Sequence, residues 1–283
     1  MPARKQVPTI GRRRLAMELL QLRGAVTREQ VSAHTGISTG ALFKIEKGQT
    51  RPQRRTLLQL LDFYQVDDQP RRQSLLDLLR RSDEREWLQR FEENLPRSYQ
   101  HLISFEADAV RISKYEGSFV PGLLQTREYV AALLRALLPE ATEAEITDRV
   151  EVRLRRQQVL DAGPGPRLWA VLDEAVIRRV VGGAAVHKDQ LRHLSEATWD
   201  PNITLQVIPF DAGAHLGMPG QFTILDYAEP DTPMVYAENQ GGGLFMDAER
   251  DIALYRENFM RLTAQAVSVD GTRQMIKDAA EAA

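Results

Sequence analysis

The sequence contains no cysteine in its 283 residues, so disulfide bonds, thiolate-ligated zinc sites and cysteine nucleophiles are excluded. It also lacks any uninterrupted run of about 18 apolar residues, the length that a membrane-spanning helix requires. The first residues, MPARKQVPTIGRRR, lack the apolar core of a signal peptide. We therefore expect a cytoplasmic protein with no membrane partner.

Motifs typical of enzymes are also absent. The five histidines include no HExxH pair for a zinc peptidase, and the glycines at 241–243 lack the GK[ST] ending of a phosphate-binding loop. We expect His187 and His193 to be surface or capping residues. Asp173 and Glu174 are adjacent carboxylates, but acidic residues are favoured at helix starts by the helix dipole. We therefore expect no catalytic residue, no metal site and no cofactor, and hence no enzyme.

Charge is unevenly distributed along the chain, although its formal net charge is only -2. Residues 1–60 contain twelve Lys and Arg against three acidic residues, a net charge of +9. Residues 61–283 contain 25 basic and 36 acidic residues, a net charge of -11. A basic module attached to an acidic body is the pattern expected of a protein that binds a polyanion.

The segment 27–48, TREQVSAHTGISTGALFKIEKG, has the pattern of two short helices that cross at a tight turn. Val31, Leu42 and Ile45 provide the apolar contact between the two helices. Gly36 is free to adopt the left-handed conformation that ends the first helix, and Ser38 is suited to cap the second. The pattern predicts a helix-turn-helix.

The whole chain predicts a mixed fold class, with an all-α N-terminal domain of four to five helices followed by a larger α+β domain. We place a helix-turn-helix DNA-binding domain at 1–68, a helical linker at 69–97, and an α+β domain at 98–283. The stretch 98–161 is expected to be helical, with a turn at 117–122. Four later segments have strand character: 167–172, 203–208, 221–227 and 233–238. Helices are expected at 174–181, 188–198, 248–264 and 271–282.

Several motifs resemble known regulators. GIS at 36–38, LFKIEKG at 42–48 and Arg51-Pro52 resemble the Xre/lambda-repressor-like helix-turn-helix. Further motifs resemble the uncharacterised C-terminal domain of many actinobacterial Xre-type regulators: PGLLQT at 121–126, RLRRQ at 153–157, LDEAVIRRVVGG at 172–183, QLRHL at 190–194 and NITLQVIPFDAGAH at 202–215. The resemblance implies an antitoxin-like DNA-binding regulator with a small protein partner encoded nearby. It also implies that an arginine of the first helix pairs with Glu46, and Arg23 is our candidate.

Residues that would contact DNA follow from the geometry of such a helix pair, whose second helix enters the major groove by its N-terminal end. The candidates for base contacts are Ser38, Thr39, Gly40 and Lys44. The candidates for phosphate contacts, which set register and not sequence, are Arg28, Lys47, Arg51 and Arg54. Phe43 either packs against the fourth helix, which we favour, or contacts a thymine methyl. Because one such domain makes few base contacts, we expect a nucleoid-associated homodimer on double-stranded DNA, with half-sites about one helical turn apart.

The role of the second domain is open between two classes. It is either a platform for a small partner protein or a sensor for a small-molecule ligand, and an enzymatic domain is the weakest alternative. The segment 211–221, DAGAHLGMPGQ, is a long glycine-rich connection, and such loops often carry binding residues. Our candidates for the partner or ligand surface are Phe119, Leu123, His215 and Met218. Core packing is an equal or better explanation for the leucine.

Overall fold

The protein divides into two compact units, residues 1–90 and 91–283, in a computed structural model. The structure describes residues 10–81, 88, 91, 95–161, 165–228, 232–239 and 242–283. Within these ranges, no helix combines the length and the apolar character needed to span a bilayer.

The first unit is a bundle of five helices: α1 (Ile10–Arg23), α2 (Arg28–Thr35), α3 (Thr39–Glu46), α4 (Arg54–Phe63) and α5 (Gln69–Arg81). Its core is built from leucines, isoleucine and valine contributed by all five helices, and the expected contact residues Val31, Leu42 and Ile45 all lie in it. Each such buried aliphatic side chain contributes about 1.5 to 3 kcal/mol by leaving water. The expected all-α N-terminal domain is confirmed.

The turn between α2 and α3 is built as its residue types predict. Gly36 ends α2 in the left-handed conformation, with a φ of 74°, and its N–H donates to the Ser32 carbonyl at 2.9 Å. The Ser38 hydroxyl accepts from the Ala41 N–H at 3.2 Å and so caps α3. At the other end of α2, Thr27 and Gln30 form a reciprocal capping box. The direction of α3 is therefore fixed by local hydrogen bonds at its start.

Helix α5 lies within the span 69–97, which we expected to be a linker, but it is part of the first unit. Leu75 and Leu79 are 2% exposed and belong to the same core as the helix-turn-helix. The helix packs against α1 and α4. An amphipathic helix with leucines on one face is stable only when that face is covered, which moves the boundary of the unit beyond residue 68.

The second unit contains a six-stranded mixed sheet in the order β3-β2-β1-β4-β5-β6. Its strands are β1 (Arg111–Glu116), β2 (Arg167–Asp173), β3 (Ile203–Ile208), β4 (Phe222–Asp226), β5 (Met234–Asn239) and β6 (Gly242–Met246). Strands β1, β2 and β3 are parallel, and the remaining pairs are antiparallel. The helices are α6 (Arg97–Glu106), α7 (Arg127–Leu137), α8 (Glu143–Gln157), α9 (Glu174–Arg178), α10 (Ala184–Ala197), α11 (Glu249–Gln265) and α12 (Val269–Ala282). The expected α+β domain is confirmed.

Strand β1 corrects the expectation that 98–161 is helical. It lies at the centre of the sheet, parallel to β2 and antiparallel to β4. Its sequence, RISKYE, has only two apolar residues, and three of its polar ones, Ser113, Lys114 and Glu116, are buried. The Lys114 ammonium lies 2.9 Å from a Glu116 carboxylate oxygen. Burial raises the pKa of the Glu116 carboxyl. A central strand is therefore built from residues that normally remain on the surface.

The β3 edge of the sheet is covered rather than open. The Val267 N–H donates to the Val207 carbonyl at 2.9 Å, and the Val207 N–H donates to the Thr272 hydroxyl at 3.0 Å. The chain between α11 and α12 therefore satisfies backbone groups that would otherwise pair with another strand. Helix α11 covers one face of the sheet, on which Phe259 and Leu262 pack with Val171.

Candidate nucleic-acid interface

The exposed side of α3 is the candidate DNA-contacting surface. Leu42 and Ile45 point into the core. The opposite side carries exposed residues at helical spacing: Thr39, Gly40, Phe43, Lys44 and Lys47. Ser38, the cap, is exposed at the start of the same helix. The structure thus brings four predicted base-contacting residues and Lys47 together on one short surface.

A buried carboxylate lies behind this surface. Glu46, whose side chain is 3% exposed, accepts from the Arg23 Nε at 2.5 Å and from the Arg28 Nε at 2.6 Å. The expected pairing of Arg23 with Glu46 is confirmed. Arg28, a predicted phosphate contact, is therefore held in place by Glu46, and its side chain remains 31% exposed.

Phe43 does not occupy the position that we favoured for it. Its side chain is 43% exposed on α3, and the Arg28 guanidinium carbon lies 5.2 Å from the centre of its ring. A cation over an aromatic face is attractive, so Arg28 and Phe43 orient each other. Because the ring is exposed, the other interpretation of Phe43 remains, which is contact with a thymine methyl.

The other predicted phosphate contacts differ in their surroundings. Arg54 is exposed at the first position of α4. Arg51 is half-buried, and its Nε and Nη2 donate to the Leu79 carbonyl at 3.4 and 3.3 Å. Arg51 therefore holds the C-terminal end of α5 in addition to any role on DNA. Its sequence position gave no sign of this bond, because the acceptor lies 28 residues away.

In the second unit, the PGLLQT segment is fixed by a buried polar network. Arg156, 4% exposed, forms a two-point salt bridge with Glu106, with nitrogen–oxygen distances of 2.6 and 2.7 Å. It also donates to the Tyr99 hydroxyl at 3.1 Å. Arg153 donates to the Gln125 amide oxygen at 2.9 Å, and Gln125 donates to the Val120 carbonyl at 2.6 Å. The RLRRQ motif thus anchors the loop from inside, a role hidden in sequence because Glu106 lies fifty residues away.

Two helical glutamines complete this network. The Gln157 side chain donates to the Gly122 and Gln125 carbonyls at 3.0 and 2.7 Å. The Gln190 side chain donates to the Leu124 carbonyl and accepts from the Thr126 N–H, both at 2.7 Å. The PGLLQT and QLRHL motifs are therefore parts of one structural unit.

Comparison with protein families assigns both units. Residues 14–75 match a model described as a helix-turn-helix domain. Residues 99–278, more than half of the chain, match a model described as a domain of unknown function, DUF5753. The chain belongs to the DUF5753 family. No curated protein and no solved structure matches it. The first unit is thus a helix-turn-helix domain of the kind that binds DNA, and its attached domain has no known role.

Within the DUF5753 domain, two of the predicted partner-binding residues are buried and cannot contact a partner as they stand. Leu123 is 4% exposed and belongs to the core, as its alternative interpretation predicted. The His215 side chain is also 4% exposed. Phe119 is half-buried, and Met218 is 69% exposed. Of the four candidates, Met218 is the one that is fully presented to solvent.

His215 is an anchor for the glycine-rich loop. Its Nδ1 accepts from the Gly217 N–H at 3.2 Å, so its Nε2 carries the proton and donates to the Asp173 carboxylate at 3.1 Å. Gly217 packs against Tyr115, and a methyl group in its place would lie 2.3 Å from a ring carbon. Burial, and then Asp173, raise the pKa of the Tyr115 phenol, which therefore stays neutral. The loop is thus held to the sheet at two adjacent points.

Exposed apolar side chains lie in this loop and directly before it. Phe210 is 60% exposed and Leu216 is 44% exposed, in addition to Met218. A cluster of large apolar side chains on a protein surface is uncommon, and such clusters often mark a site of protein–protein contact. A fixed loop that exposes several large apolar side chains is the feature of the DUF5753 domain that most resembles a protein-binding surface.

The carboxylate pair Asp173 and Glu174 is occupied by structural bonds. Asp173 accepts from the Ala175 N–H at 2.8 Å and caps α9, in addition to its bond with His215. Glu174 accepts from the Phe210 N–H at 2.8 Å and from Arg178 at 3.0 Å. Both residues therefore position the start of α9 and the glycine-rich loop, as expected for acidic residues at a helix start.

The two histidines of α10 differ. His193 is exposed, as expected. His187 is buried, and its Nε2 donates to the Ile177 carbonyl at 3.1 Å, near the end of α9. His187 is therefore a capping residue placed inside the domain.

Proposed function

We propose that the chain is a sequence-specific transcriptional regulator of the Xre type that binds double-stranded DNA as a homodimer, in the cytoplasm and on the nucleoid. The observation that carries the proposal is the exposed side of α3, where the predicted base-contacting residues stand together. This helix belongs to a segment with a net charge of +9, and phosphate neutralisation supplies most of the sequence-independent affinity for DNA.

Each residue of the surface has a definite role in the proposal. Lys44 is long enough to donate to guanine O6 or N7, and Thr39 offers a hydroxyl and a methyl group. Gly40 has no side chain, so the backbone of α3 can approach the base edges closely. Arg28 is positioned by Glu46 and Phe43 and contacts phosphate with its remaining N–H groups.

The test is selection of bound sequences from a random double-stranded DNA pool, followed by binding measurements on the enriched sequence. Lys44→Ala should cost about 1 to 3 kcal/mol and relax preference at one base position per half-site. Lys188→Ala, an exposed lysine of the DUF5753 domain, is the matched control and should bind as the parent protein does. Failure to enrich any sequence, or equal binding by all three proteins, would refute the proposal.

The proposal further assigns to the DUF5753 domain an antitoxin-like role, in which it binds a small protein encoded nearby. The anchored loop supports this role, because Phe210, Leu216 and Met218 are presented on a backbone that is already held in one conformation. A pre-ordered loop loses less conformational entropy on binding than a free one does.

The partner hypothesis is tested by co-expressing the chain with the products of its neighbouring genes and measuring co-purification. Met218→Asp, which places a charge on the apolar side of the loop, should abolish capture. Leu137→Asp changes another exposed apolar residue, at the end of α7, and should leave capture unchanged. If no neighbouring product is captured, or if both variants capture it equally, the loop is not the binding surface.

A second candidate function is supported by a cavity: the DUF5753 domain is a sensor for a small-molecule ligand. The cavity has a volume of about 540 Å³ and lies at one end of the sheet. In both candidates the domain is not an enzyme. The bonds of Asp173 and Glu174 support that view. Both carboxylates accept backbone N–H groups that hold the local structure, so neither is available as a catalytic acid or base.

A further inference from the structure

The cavity at the end of the sheet has the dimensions of a small-molecule site. It lies between the first residues of β1 and β2, the last residues of β4, and α11. Its volume of about 540 Å³ lies within the range of roughly 300 to 1,000 Å³ that ligand pockets occupy. Every lining residue belongs to the DUF5753 domain.

Two arginines stand side by side in its lining. Arg111 and Arg167 are register partners on the parallel strands β1 and β2, so both side chains lie on the same face of the sheet. Both residues are exposed, and within the described part of the chain neither forms a salt bridge. Like charges directly opposite each other on a sheet destabilise it. The fold therefore tolerates a repulsive pair in the lining of a cavity.

The acidic residue of the cavity lining, Asp226, is already in a salt bridge. Asp226 lies across from Arg111 on the other neighbouring strand, β4. It forms its salt bridge with Arg256 of α11. The lining contains these three arginines and one aspartate, so a net positive charge is left at Arg111 and Arg167.

An aromatic wall stands next to the arginine pair. Trp169 follows Arg167 by two residues on the same face, and 37% of it is exposed. Its indole N–H donates to the Gln206 amide oxygen at 2.9 Å, and Phe259 meets its ring edge-on at a centre-to-centre distance of 5.5 Å. The indole is thus oriented before any ligand arrives. Ile224 and Met260 extend the apolar lining.

We propose that this cavity binds a small organic carboxylate with a planar apolar body. The carboxylate is held by the guanidinium groups of Arg111 and Arg167, which suit it because each presents paired N–H donors in a planar fork. The apolar body lies against Trp169 and Phe259. The inference deepens the sensor candidate and rests on it, but it does not depend on DNA binding, because no residue of the first unit takes part.

The direct test is calorimetric titration of the full chain with a panel of monocyclic and bicyclic aryl acetates, including phenylacetate and 1-naphthylacetate. At least one should bind saturably and raise the melting temperature. Its neutral amide and plain acetate should each bind at least about tenfold more weakly, because one lacks the charge and the other lacks the apolar body. If no acid in the panel binds up to about 10 mM, or if the amide binds as tightly as its acid, the proposal is wrong.

Variants connect the binding to these residues. Arg111→Leu and Arg167→Leu should each weaken binding by at least about tenfold, and Trp169→Leu should weaken it as well. Because each arginine change removes one side of a repulsive pair, the melting temperature should not fall, which separates loss of binding from loss of fold. Arg250→Leu and Trp199→Leu alter exposed residues outside the cavity and serve as controls. Unchanged affinity in all three cavity variants would overturn the assignment.

DNA binding is measured in parallel on the enriched sequence. If DNA binds and no aryl acetate does, the ligand proposal fails and the DNA-binding proposal stands. If aryl acetates bind and no DNA sequence is enriched, the reverse holds.

Discussion

Glu46 supports the candidate DNA-contacting surface from inside the first unit. It is buried and accepts from Arg23 of α1 and Arg28 of α2. Glu46→Ala leaves two partly buried guanidinium groups without their carboxylate. We expect the free energy of unfolding to fall by about 2 kcal/mol, below the roughly 3 to 5 kcal/mol of a fully buried pair because both arginines keep some contact with water.

Urea unfolding followed by circular dichroism measures this change. Glu29→Ala is the matched control, because Glu29 is exposed in the first turn of α2 and should contribute less than about 1 kcal/mol. Equal losses in the two variants would mean that the buried pairing has no special role.

His187 makes the stability of the DUF5753 domain depend on pH. Burial lowers the pKa of its imidazole below the ordinary value of 6.5. The unfolded chain therefore binds a proton that the folded one does not, and stability is lost as the pH falls below about 6.5. His187→Gln removes the titrating group and keeps an N–H donor for the Ile177 carbonyl.

We expect the drop in the free energy of unfolding between about pH 7.5 and pH 5.5 to be smaller in His187→Gln than in the parent protein. His193→Gln, a change at an exposed histidine of the same helix, should keep the parental slope. Parallel slopes in all three proteins would contradict the assignment.

At the scale of elements, α3 offers a substitution that separates stability from DNA binding. Gly40 lies inside the helix, and a methyl group there would have no protein atom within 4 Å. Gly40→Ala should raise the free energy of unfolding by about 0.5 to 1 kcal/mol, because glycine is entropically costly in a helix. The added methyl group projects from the side that faces the groove, so affinity for DNA should fall.

Thermal unfolding and DNA titration of the same Gly40→Ala sample check both halves of this expectation. A variant that is more stable and binds DNA equally well would show that α3 does not approach DNA at Gly40.

The elements also show which features sequence can predict. The helix-turn-helix is encoded locally: Gly36, Ser38 and the apolar residues of α2 and α3 each have a function within a few residues of themselves. Strands β2 and β3 are apolar enough to identify. Strand β1 is not, because its polar residues Ser113, Lys114 and Glu116 are buried only by the neighbouring strands and helices of the folded domain. A local pattern does not reveal burial by distant segments.

The same limit applies to the candidate sites. The face of α3 follows from helical spacing, and the exposure of Thr39, Gly40 and Lys44 is as expected. Phe43 is exposed beside them, although we expected it to be packed. The roles of His215 and Leu123 were assigned from a loop and a motif, and both residues are buried because of contacts with distant segments. The cavity arginines sit on strands β1 and β2, and only the strand register makes Arg111 and Arg167 neighbours.

At the scale of the whole molecule, a basic helix-turn-helix unit is joined to an acidic domain about twice its length. Our proposals give contact with DNA to the first unit and binding of a partner protein or a ligand to the second. On this proposal, the acidic domain should oppose non-specific attachment to DNA, because like charges repel it from the phosphates.

The most direct test of the central proposal, that the first unit grips DNA phosphates as part of a homodimer, is the salt dependence of binding to the enriched sequence. With roughly eight phosphate contacts per dimer, the logarithm of the association constant should fall with the logarithm of salt concentration at a slope of about -7. Arg54→Ala, which removes one contact per protomer, should reduce the slope by about two. A slope near zero would contradict the account.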